Sequence, residues 1–223
     1  QRQMCIRDRP YKLATSPNGN GGWFSSLKNA GLLDLIHENG IEWLNVFAVD
    51  NVLQRIADPC FIGATITENR SVGAKVVCKN HPDEKVGVMC LKDNHPSIVE
   101  YYELTPELRD AVDEDGEPAY NFGVILNYLF KESELEDICE NTLPLHIVEK
   151  KIPYIDDAGT LIKPEEPNGY KFETLILDMI QMMDTCLPFE VERDKEFAPI
   201  KNKTGIDSVE SARALLAKNG VTL

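Results

Sequence analysis

The sequence predicts an α/β fold built on a mixed, mostly parallel central sheet that carries a small β-arm. Short apolar segments of strand length alternate along the chain with segments of helical periodicity, which is the pattern of α/β proteins. The clearest strand, residues 41–51 (IEWLNVFAVDN), is almost entirely apolar until it ends on Asp50 and Asn51. Such runs are typical of strands buried on both faces. With 223 residues, the chain is long enough for one domain with a sizeable core.

Asp50 is the first candidate functional residue. Ligands of open α/β sheets bind at the carboxyl ends of strands, and Mg²⁺ prefers one or two carboxylates together with phosphate oxygens. An aspartate at the end of a buried strand therefore suits a metal held against phosphate. The simpler alternative, an aspartate that caps a loop, stays open from this stretch alone.

The composition argues against several classes of function. Apolar residues make up 43% of the chain and charged residues 27%, and no apolar run approaches the roughly 18 residues of a membrane helix. The formal net charge of -14 disfavours general attraction to nucleic acid or anionic lipid, which needs clustered Lys and Arg. We expect no nucleic-acid or membrane partner. Any phosphate must then be bound by backbone amides, a metal or a few lysines.

The cysteines and the first residues bear on compartment and boundaries. The six cysteines are widely spaced without a C-x-x-C pair, so reduced thiols in the cytoplasm are the simplest interpretation. Residues 1–9 (QRQMCIRDR) resemble no targeting signal and are similar to translated sequencing-adapter sequence. We therefore predict that residues 1–9 are an artefact and that residues 10–223 form the domain.

The first third of the chain predicts half of a βαβ unit. Residues 11–15 predict the end of a strand, and residues 16–22 (SPNGNGG) predict a loop that can expose N–H groups and adopt positive φ. Residues 23–39 predict one helix, which Gly40 ends. Loop, helix, strand and Asp50 thus follow in order.

The rest of the chain predicts further strands, helices and turns. Asp58-Pro59 predicts a helix start, and DEDGEP predicts an acidic surface loop. Strands are predicted at residues 72–78, 85–90, 97–101 and 189–193, with the turn NHPDE joining the first two, and another apolar element is predicted at 120–130. Helices are predicted at 132–141, 172–183 and 208–218, the last capped by Asp207, with a β-arm around 152–162 and a loop at 196–202.

Several of these stretches, in this order, resemble the eukaryotic-type UDP-N-acetylhexosamine pyrophosphorylases and the related UDP-glucose pyrophosphorylases. SPNGNGG is similar to that family's uridine-binding loop, FAVDN to its metal-binding strand end and FAPIKN to its phosphate-binding lysine loop. KKIPYIDDAGTLIKPEEPNGYKFE is similar to a signature of the hexosamine branch, and FIG, VGAKVV, VGV and VEY also fall in the family's sequence. The resemblance covers residues 11–202. It implies a Rossmann-like nucleotidyltransferase that forms UDP-sugar and pyrophosphate from UTP and a sugar 1-phosphate.

The resemblance also implies roles for individual residues. Asp50 matches the Mg²⁺-linked aspartate and Lys201 the phosphate-binding lysine, and these two are the catalytic candidates. The implied substrate-binding residues are Pro17, Gly19, Asn20, Gly87, Glu100, Tyr101 and Asn121. Glu100 would accept hydrogen bonds from sugar hydroxyls. In-line transfer needs positioning and charge neutralisation, which a metal and a lysine provide.

Departures from the family pattern leave the sugar open. Leu175 and Leu177 replace an aromatic pair, and Val124 replaces the second asparagine of an NxxN segment that begins at Asn121. N-acetylglucosamine 1-phosphate is the first expectation, with glucose 1-phosphate or a UDP-sugar-binding module without turnover as alternatives. The family's glycine-rich LxGGxGTRLG loop belongs upstream of Tyr11, so we expect a truncated domain that is inactive and unstable as given.

Other polar residues have simpler explanations. We interpret Lys163 as a solvated lysine, whereas the Ala-Pro and Asn that flank Lys201 favour function. Glu100 on an apolar strand would be costly unless it is paired or faces a ligand. The four histidines show no metal-ligand spacing and receive no role.

Overall fold

The computed structural model describes residues 7–9, 12–13, 15–139 and 141–222. The first half of these ranges contains β1 (Arg7–Arg9), β2 (Lys12–Leu13), α1 (Trp23–Asn29), α2 (Leu32–Glu38), β3 (Trp43–Phe47), α3 (Pro59–Thr67), β4 (Val72–Cys78), β5 (Val88–Lys92), β6 (His95–Val99) and α4 (Pro106–Arg109). The second half contains β7 (Phe122–Lys131), α5 (Glu132–Ile138), β8 (His146–Lys150), β9 (Tyr154–Ile155), β10 (Leu161–Ile162), β11 (Gly169–Glu173), α6 (Ile176–Gln181), β12 (Cys186–Glu190), α7 (Arg193–Glu196) and α8 (Val209–Lys218).

The start of the chain is only partly covered by these ranges. Residues 1–6 of the predicted artefact, with Cys5, and Tyr11 and Ala14 of the predicted first strand lie outside the described residues. Within the ranges, β1 pairs antiparallel with β2. The boundary at residue 10 stays a prediction.

A six-stranded sheet organises the molecule, with the order β12-β4-β7-β5-β6 and with β3 also paired to β7. The ten-residue strand β7 runs antiparallel to β3, β4 and β5, and β5 runs antiparallel to β6. The pair of β12 with β4 is parallel. The α/β class with a mixed sheet is confirmed, but the mostly parallel sheet is wrong. The apolar strand β4 is buried on both faces although one of its neighbours is antiparallel, so its pattern does not reveal strand direction.

Strand β7 contains an irregularity that faces the site described below. The register of β4 against β7 shifts after Ala74, which gives β7 extra residues opposite Lys75. Leu126 in this part of β7 has a φ of 51°, a conformation that bulky residues rarely adopt. Its carbonyl oxygen accepts a hydrogen bond of 2.9 Å from the backbone N–H of Ala48. The bulge thereby ties β7 to the segment that leads into Asp50.

The predicted helix at residues 23–39 is wrong in its middle. It consists of α1 and α2, and Gly31 between them has a φ of 68°. A residue in the left-handed region cannot continue a right-handed helix. The predicted helix after Asp58 is confirmed as α3: the Asp58 side chain accepts a hydrogen bond from the backbone N–H of Cys60 at 3.1 Å.

Long-range strand pairing changes three further predictions. Strands β4 and β5, predicted as neighbours across NHPDE, are separated in the sheet by β7. Residues 169–173, the last two of which were expected in a helix, form β11 and pair with β8, so α6 begins only at Ile176. The strand predicted at 189–193 is β12, which ends at Glu190, and Arg193 begins α7. The β-arm is confirmed, since β9 and β10 pair as a hairpin.

The main core is formed by the sheet with helices α1, α5 and α6. Its buried members include Phe24, Val72, Val76, Tyr128, Phe130, Leu135 and Ile180. A second cluster joins Leu53, Ala198 and Ala212, so α8 packs against the segments that follow Asp50 and precede Lys201. Burial of these side chains supplies the main stabilisation of the fold. Among the helices in the described ranges, none has the length and apolar character needed to cross a bilayer.

Candidate functional site

A cavity of about 360 Å³ lies over β7, between the segments that follow β3 and β6 and the start of α6. Its volume falls within the usual range of small-molecule sites. Six of the nine residues proposed from the sequence line it: Asn20, Asp50, Gly87, Glu100, Tyr101 and Lys201. The fold therefore gathers residues from five separate stretches of the chain into one place.

Asp50 lies in the turn that follows β3. Its backbone carbonyl accepts a hydrogen bond from the N–H of Ile200 at 2.9 Å, whereas no described residue hydrogen-bonds its carboxylate. Asp50 and Glu100 are the carboxylates of the described lining. A carboxylate that faces a cavity and is not engaged by the described chain fits a divalent metal that takes its other ligands from substrate phosphates and water.

The buried side chain of Asn51 joins the two loops that carry the catalytic candidates. It is 3% exposed, its Nδ2 donates to the carbonyl of Glu196 at 2.7 Å, and its Oδ1 accepts from the N–H of Ala198 at 2.8 Å. A buried amide whose donor and acceptor are both satisfied holds its partners firmly. The side chain of Asn51 therefore ties the turn at Asp50 to the segment that leads to Lys201.

Lys201 is placed by its backbone. Its N–H donates to the carbonyl of Asp207 at 2.7 Å, and Asp207 has a φ of 56°. Asp207 is thus not the predicted cap of α8: Ser208 has that role, and its side chain accepts from the N–H of Ser211. The side chain of Lys201 is left to line the cavity.

Lys85 is a second lysine of the lining that the sequence analysis missed. It stands at the start of a stretch predicted as a strand, and nothing local marks it as functional. Together with Lys201 it brings two positive charges into the cavity of a protein with a net charge of -14. That local charge is suited to a phosphate-bearing ligand.

Glu100 follows β6 and is only partly exposed. Burial raises the pKa of its carboxyl above the ordinary value, and the nearby Glu103 adds to this increase, while His146 and Lys201 oppose it. Tyr101 and Tyr102 beside it have rings in edge-to-face contact at 5.2 Å between centroids. Glu100 is therefore an acceptor in a partly desolvated setting, where a hydroxyl donor from a ligand would be worth more than in water.

The glycine-rich loop at residues 16–22 is held against the start of α6. Gly19 has a φ of 92°, and a Cβ there would lie 2.0 Å from the carbonyl oxygen of Thr174, so only glycine fits. The Oδ1 of Asn20 accepts from the N–H of Ile176 at 2.9 Å, one of the free donors at the helix start. The loop thus fixes Asn20 at the edge of the cavity.

Three sequence candidates do not belong to the described lining. Pro17 is exposed, and Gly19 packs closely against the backbone of Thr174. The Oδ1 of Asn121 accepts from the backbone N–H of Lys79 at 3.0 Å, which ties the ends of β4 and β7 together. A direct role of these residues in ligand binding stays a prediction.

The apolar part of the lining contains all three departures from the family pattern: Val124, Leu175 and Leu177. Gly87 adjoins them, because a Cβ there would lie 3.3 Å from Val124 Cγ2 and 3.0 Å from Ile98 Cγ2. The absence of a side chain at Gly87 keeps this side of the cavity open. The ligand group that packs here meets aliphatic side chains.

Close to the site, His146 and Asp178 form a hydrogen-bonded pair, which the sequence analysis did not identify. The Nε2 of His146 lies 2.9 and 3.1 Å from the two oxygens of Asp178, which is 3% exposed. Asp178 also accepts from the N–H of Leu175 at 3.3 Å. The pair fixes the start of α6, and with it Leu175 and Leu177. Thirty-two residues separate the partners, so no local pattern reveals the pair.

A second group of ionisable side chains lies outside the cavity. His37 Nε2 is 2.9 Å from Glu132 and 3.4 Å from Glu136, which links α2 to α5. The hydrogen bond to Glu132 raises the pKa of His37. Ion pairing between the two helices explains this group without a ligand.

Comparisons with known proteins identify relatives of this chain. A family profile described as UTP–glucose-1-phosphate uridylyltransferase matches residues 3–222. The chain is 40% identical over 221 residues to UDP-N-acetylhexosamine pyrophosphorylase-like protein 1 of Mus musculus, covering 96% of this chain and 44% of the relative. It is 38% identical over 224 residues to the UDP-N-acetylglucosamine pyrophosphorylase of Saccharomyces cerevisiae, covering 96% and 46%.

A solved structure from Entamoeba histolytica, provisionally named a UDP-N-acetylglucosamine pyrophosphorylase, superposes with a TM-score of 0.88 at 34% identity. The match covers 96% of this chain and 54% of that chain. The chain thus spans less than half the length of the two curated relatives above.

Proposed function

The chain belongs to the UTP–glucose-1-phosphate uridylyltransferase family, and on that premise we propose that it forms the uridylyl-transfer site of a UDP-sugar pyrophosphorylase. The substrates would be UTP and a sugar 1-phosphate, and the products a UDP-sugar and pyrophosphate. The observation that carries the proposal is the common cavity of Asp50, Lys201, Glu100 and Asn20.

The proposed reaction is a displacement at phosphorus. A phosphate oxygen of the sugar 1-phosphate attacks the α-phosphorus of UTP, and the bond from that phosphorus to the oxygen bridging the β-phosphorus breaks, releasing pyrophosphate. Such a transfer needs in-line positioning and compensation of negative charge, and no covalent protein intermediate. The charged residues of the cavity lining suit these two needs, and the lining does not have to supply a nucleophile.

The residues divide this work between them. Asp50 would hold a divalent cation, which we propose to be Mg²⁺, and the bound ion would supply charge neutralisation at the phosphates. Lys201 and Lys85 place ammonium groups against the phosphate oxygens. Glu100 accepts hydrogen bonds from the sugar hydroxyls, and Asn20, Gly87 and Tyr101 border the same ligand.

The proposed sugar is N-acetylglucosamine. Support comes from the name of the yeast relative at 38% identity. The aliphatic group of Val124, Leu175 and Leu177 offers a surface on which a methyl-bearing acetyl group can pack. Glucose 1-phosphate is the second candidate, because the same positions depart from the pattern of the hexosamine branch.

Pyrophosphate release tests the proposal directly. This chain, and any longer form of the protein that contains it, is incubated with UTP, Mg²⁺ and in turn the 1-phosphates of N-acetylglucosamine, N-acetylgalactosamine and glucose. We expect the highest kcat/KM with N-acetylglucosamine 1-phosphate. If no sugar gives release and labelled pyrophosphate does not exchange, while calorimetry shows tight UDP-sugar binding, the protein is a binding module and the proposal is wrong.

A further inference from the structure

Lys75 is a buried charge at the centre of a strand. It occupies the fourth position of β4, and its side chain is fully buried, whereas the rest of β4 is apolar until Cys78. A lysine with no exposure must have partners, because an isolated buried ammonium group is very costly. The proposed transfer mechanism does not use it.

Two buried carboxylates meet the ammonium group of Lys75. Its Nζ lies 2.8 Å from Asp58 Oδ2 and 2.5 Å from Glu196 Oε2, and these residues are 4% and 5% exposed. The ring of Phe61 lies 5.5 Å from the same nitrogen. Burial alone would raise the pKa of Asp58, but the hydrogen bond and charge of Lys75 lower it below its ordinary value. The Lys75–Asp58–Glu196 group is therefore a charged triad inside the protein.

The triad joins side chains from three elements. Asp58 is the N-cap of α3, Lys75 belongs to β4, and Glu196 is the last residue of α7. The guanidinium group of Arg55 closes the outer side, 3.6 Å from Glu196 and 3.9 Å from Asp58. Two positive and two negative groups thus balance each other.

From Glu196 the contacts run directly to the catalytic candidates. The carbonyl oxygen of Glu196 accepts from the side chain of Asn51, which is adjacent to Asp50 in the chain. Five residues after Glu196 stands Lys201, and the N–H of Ile200 donates to the carbonyl of Asp50 at 2.9 Å. Glu196 is therefore linked to both loops.

We propose that Lys75 is a positioning residue of the transfer site: by holding Glu196 and Asp58, it sets the separation of Asp50 and Lys201. The effect of Lys75 on catalysis rests on the proposed function, whereas its effect on the positions of the two loops does not. Lys75 touches neither cavity nor substrate. It acts through Glu196 and Asn51.

The test is Lys75→Met, which keeps most of the volume and removes the charge. The matched control is Val72→Ala, a fully buried residue on the same strand that has no polar link to the loops. Hydrogen–deuterium exchange is followed at the N–H groups of Ala198 and Ile200. In the Lys75 variant we expect these two amides to exchange at least about tenfold faster than in the control, after correction for global stability.

The catalytic consequence is measured on the same two variants. We expect Lys75→Met to lower kcat by about 10- to 100-fold and to raise the Mg²⁺ concentration for half-maximal rate, because small displacements of placed groups have effects of this size. The Val72→Ala control should change kcat and the Mg²⁺ concentration for half-maximal rate by less than about twofold. This should hold even if its melting temperature falls as much as that of Lys75→Met.

Glu196→Gln provides a second variant in case Lys75→Met does not fold. It keeps the side-chain length and a hydrogen-bond acceptor, so the same two amides should exchange about two- to fivefold faster. Unchanged exchange at Ala198 and Ile200 in whichever variant folds overturns the positioning role. If a longer form of the protein that contains this chain transfers no uridylyl group but exchange still increases in the variants, the proposed function is wrong while the link from Lys75 to the loops stands.

Discussion

The backbone N–H of Ile200 donates a hydrogen bond of 2.9 Å to the carbonyl oxygen of Asp50. This bond sets the residue before Lys201 against Asp50, although 150 positions separate the two in the chain. The proposed metal-binding carboxylate and the proposed phosphate-binding ammonium group thereby keep a defined relationship, and neither side chain is needed to maintain it. Substitution of either side chain should therefore change chemistry more than stability.

Asp50→Asn is the first test of whether the side chain affects chemistry more than stability. We expect kcat to fall by about 10²- to 10³-fold, because loss of a placed charge in a transfer site has effects of this order. The melting temperature should stay within about 2 °C of wild type, since no described residue hydrogen-bonds the carboxylate. Asp157→Asn, in the exposed turn of the β-arm, is the control. An Asp50 variant with wild-type kcat and Mg²⁺ dependence would refute the metal role.

Lys201→Met should lower kcat/KM for UTP by about 10- to 100-fold, as expected for the loss of a charge-assisted hydrogen bond to phosphate. Lys85→Met, at the other lysine of the lining, should show a smaller loss in the same direction. Lys163→Met removes an exposed lysine outside the described lining and serves as control. Steady-state kinetics at several ionic strengths measure all three. Equal kinetics for the Lys201 and Lys163 variants would contradict the assignment.

Gly19→Ala should destabilise the protein by more than about 2 kcal/mol, because the new Cβ would meet the Thr174 carbonyl oxygen and the residue has positive φ. Gly31→Ala is a matched control, since its φ is also positive but a Cβ would have no neighbour within 4 Å. The control should cost only about 1–2 kcal/mol, the strain of a left-handed non-glycine residue. Urea unfolding monitored by circular dichroism measures both. Equal losses would show that the close contact with Thr174 is unimportant.

Glu100→Gln should raise KM for the sugar 1-phosphate by about tenfold while KM for UTP changes by less than about twofold. The wild-type dependence on pH follows from the raised pKa of Glu100. The ionised carboxylate is a stronger hydrogen-bond acceptor than the neutral acid, so kcat/KM for the sugar falls as the pH decreases through a pKa above the ordinary glutamate value of about 4.3. The variant should lose this acid limb. Its persistence in the variant would assign the limb to another group.

The pair of His37 with Glu132 predicts a pH-dependent contribution to stability. Because the folded-state pKa of His37 is raised, its contribution is fully present below the unfolded value of about 6.5 and is lost as pH rises through the folded pKa. His37→Gln should therefore destabilise the protein more at about pH 5.5 than at about pH 8.5. His81→Gln, in an exposed turn, is the control. The same loss at both pH values would mean that the pair is not ionic.

Local features account for the parts of the site that could be predicted from the sequence. The role of Lys201 is implied by the resemblance of FAPIKN to a family loop, whereas an apolar run that stops at Asp50 and a glycine-rich loop at residues 16–22 each carry their signal within a few residues. The same holds for the start of α3, where Asp58 and Pro59 form a cap and a first turn. These features depend on backbone preferences and short-range hydrogen bonds, which residue types determine directly.

The tertiary structure alone decided which distant segments meet. Strand β7 enters the sheet beside β4, antiparallel to it, and this placement makes the expected mixed, mostly parallel sheet a mixed, mostly antiparallel one. The same long-range pairing brought Lys85 into the cavity and set Lys75 against Asp58 and Glu196. In the sequence Lys75 is one charge within an apolar strand, and the carboxylates that allow its burial are 17 and 121 residues away. Residue types establish that a buried charge needs partners, but only the folded packing of strands and helices determines which partners it finds.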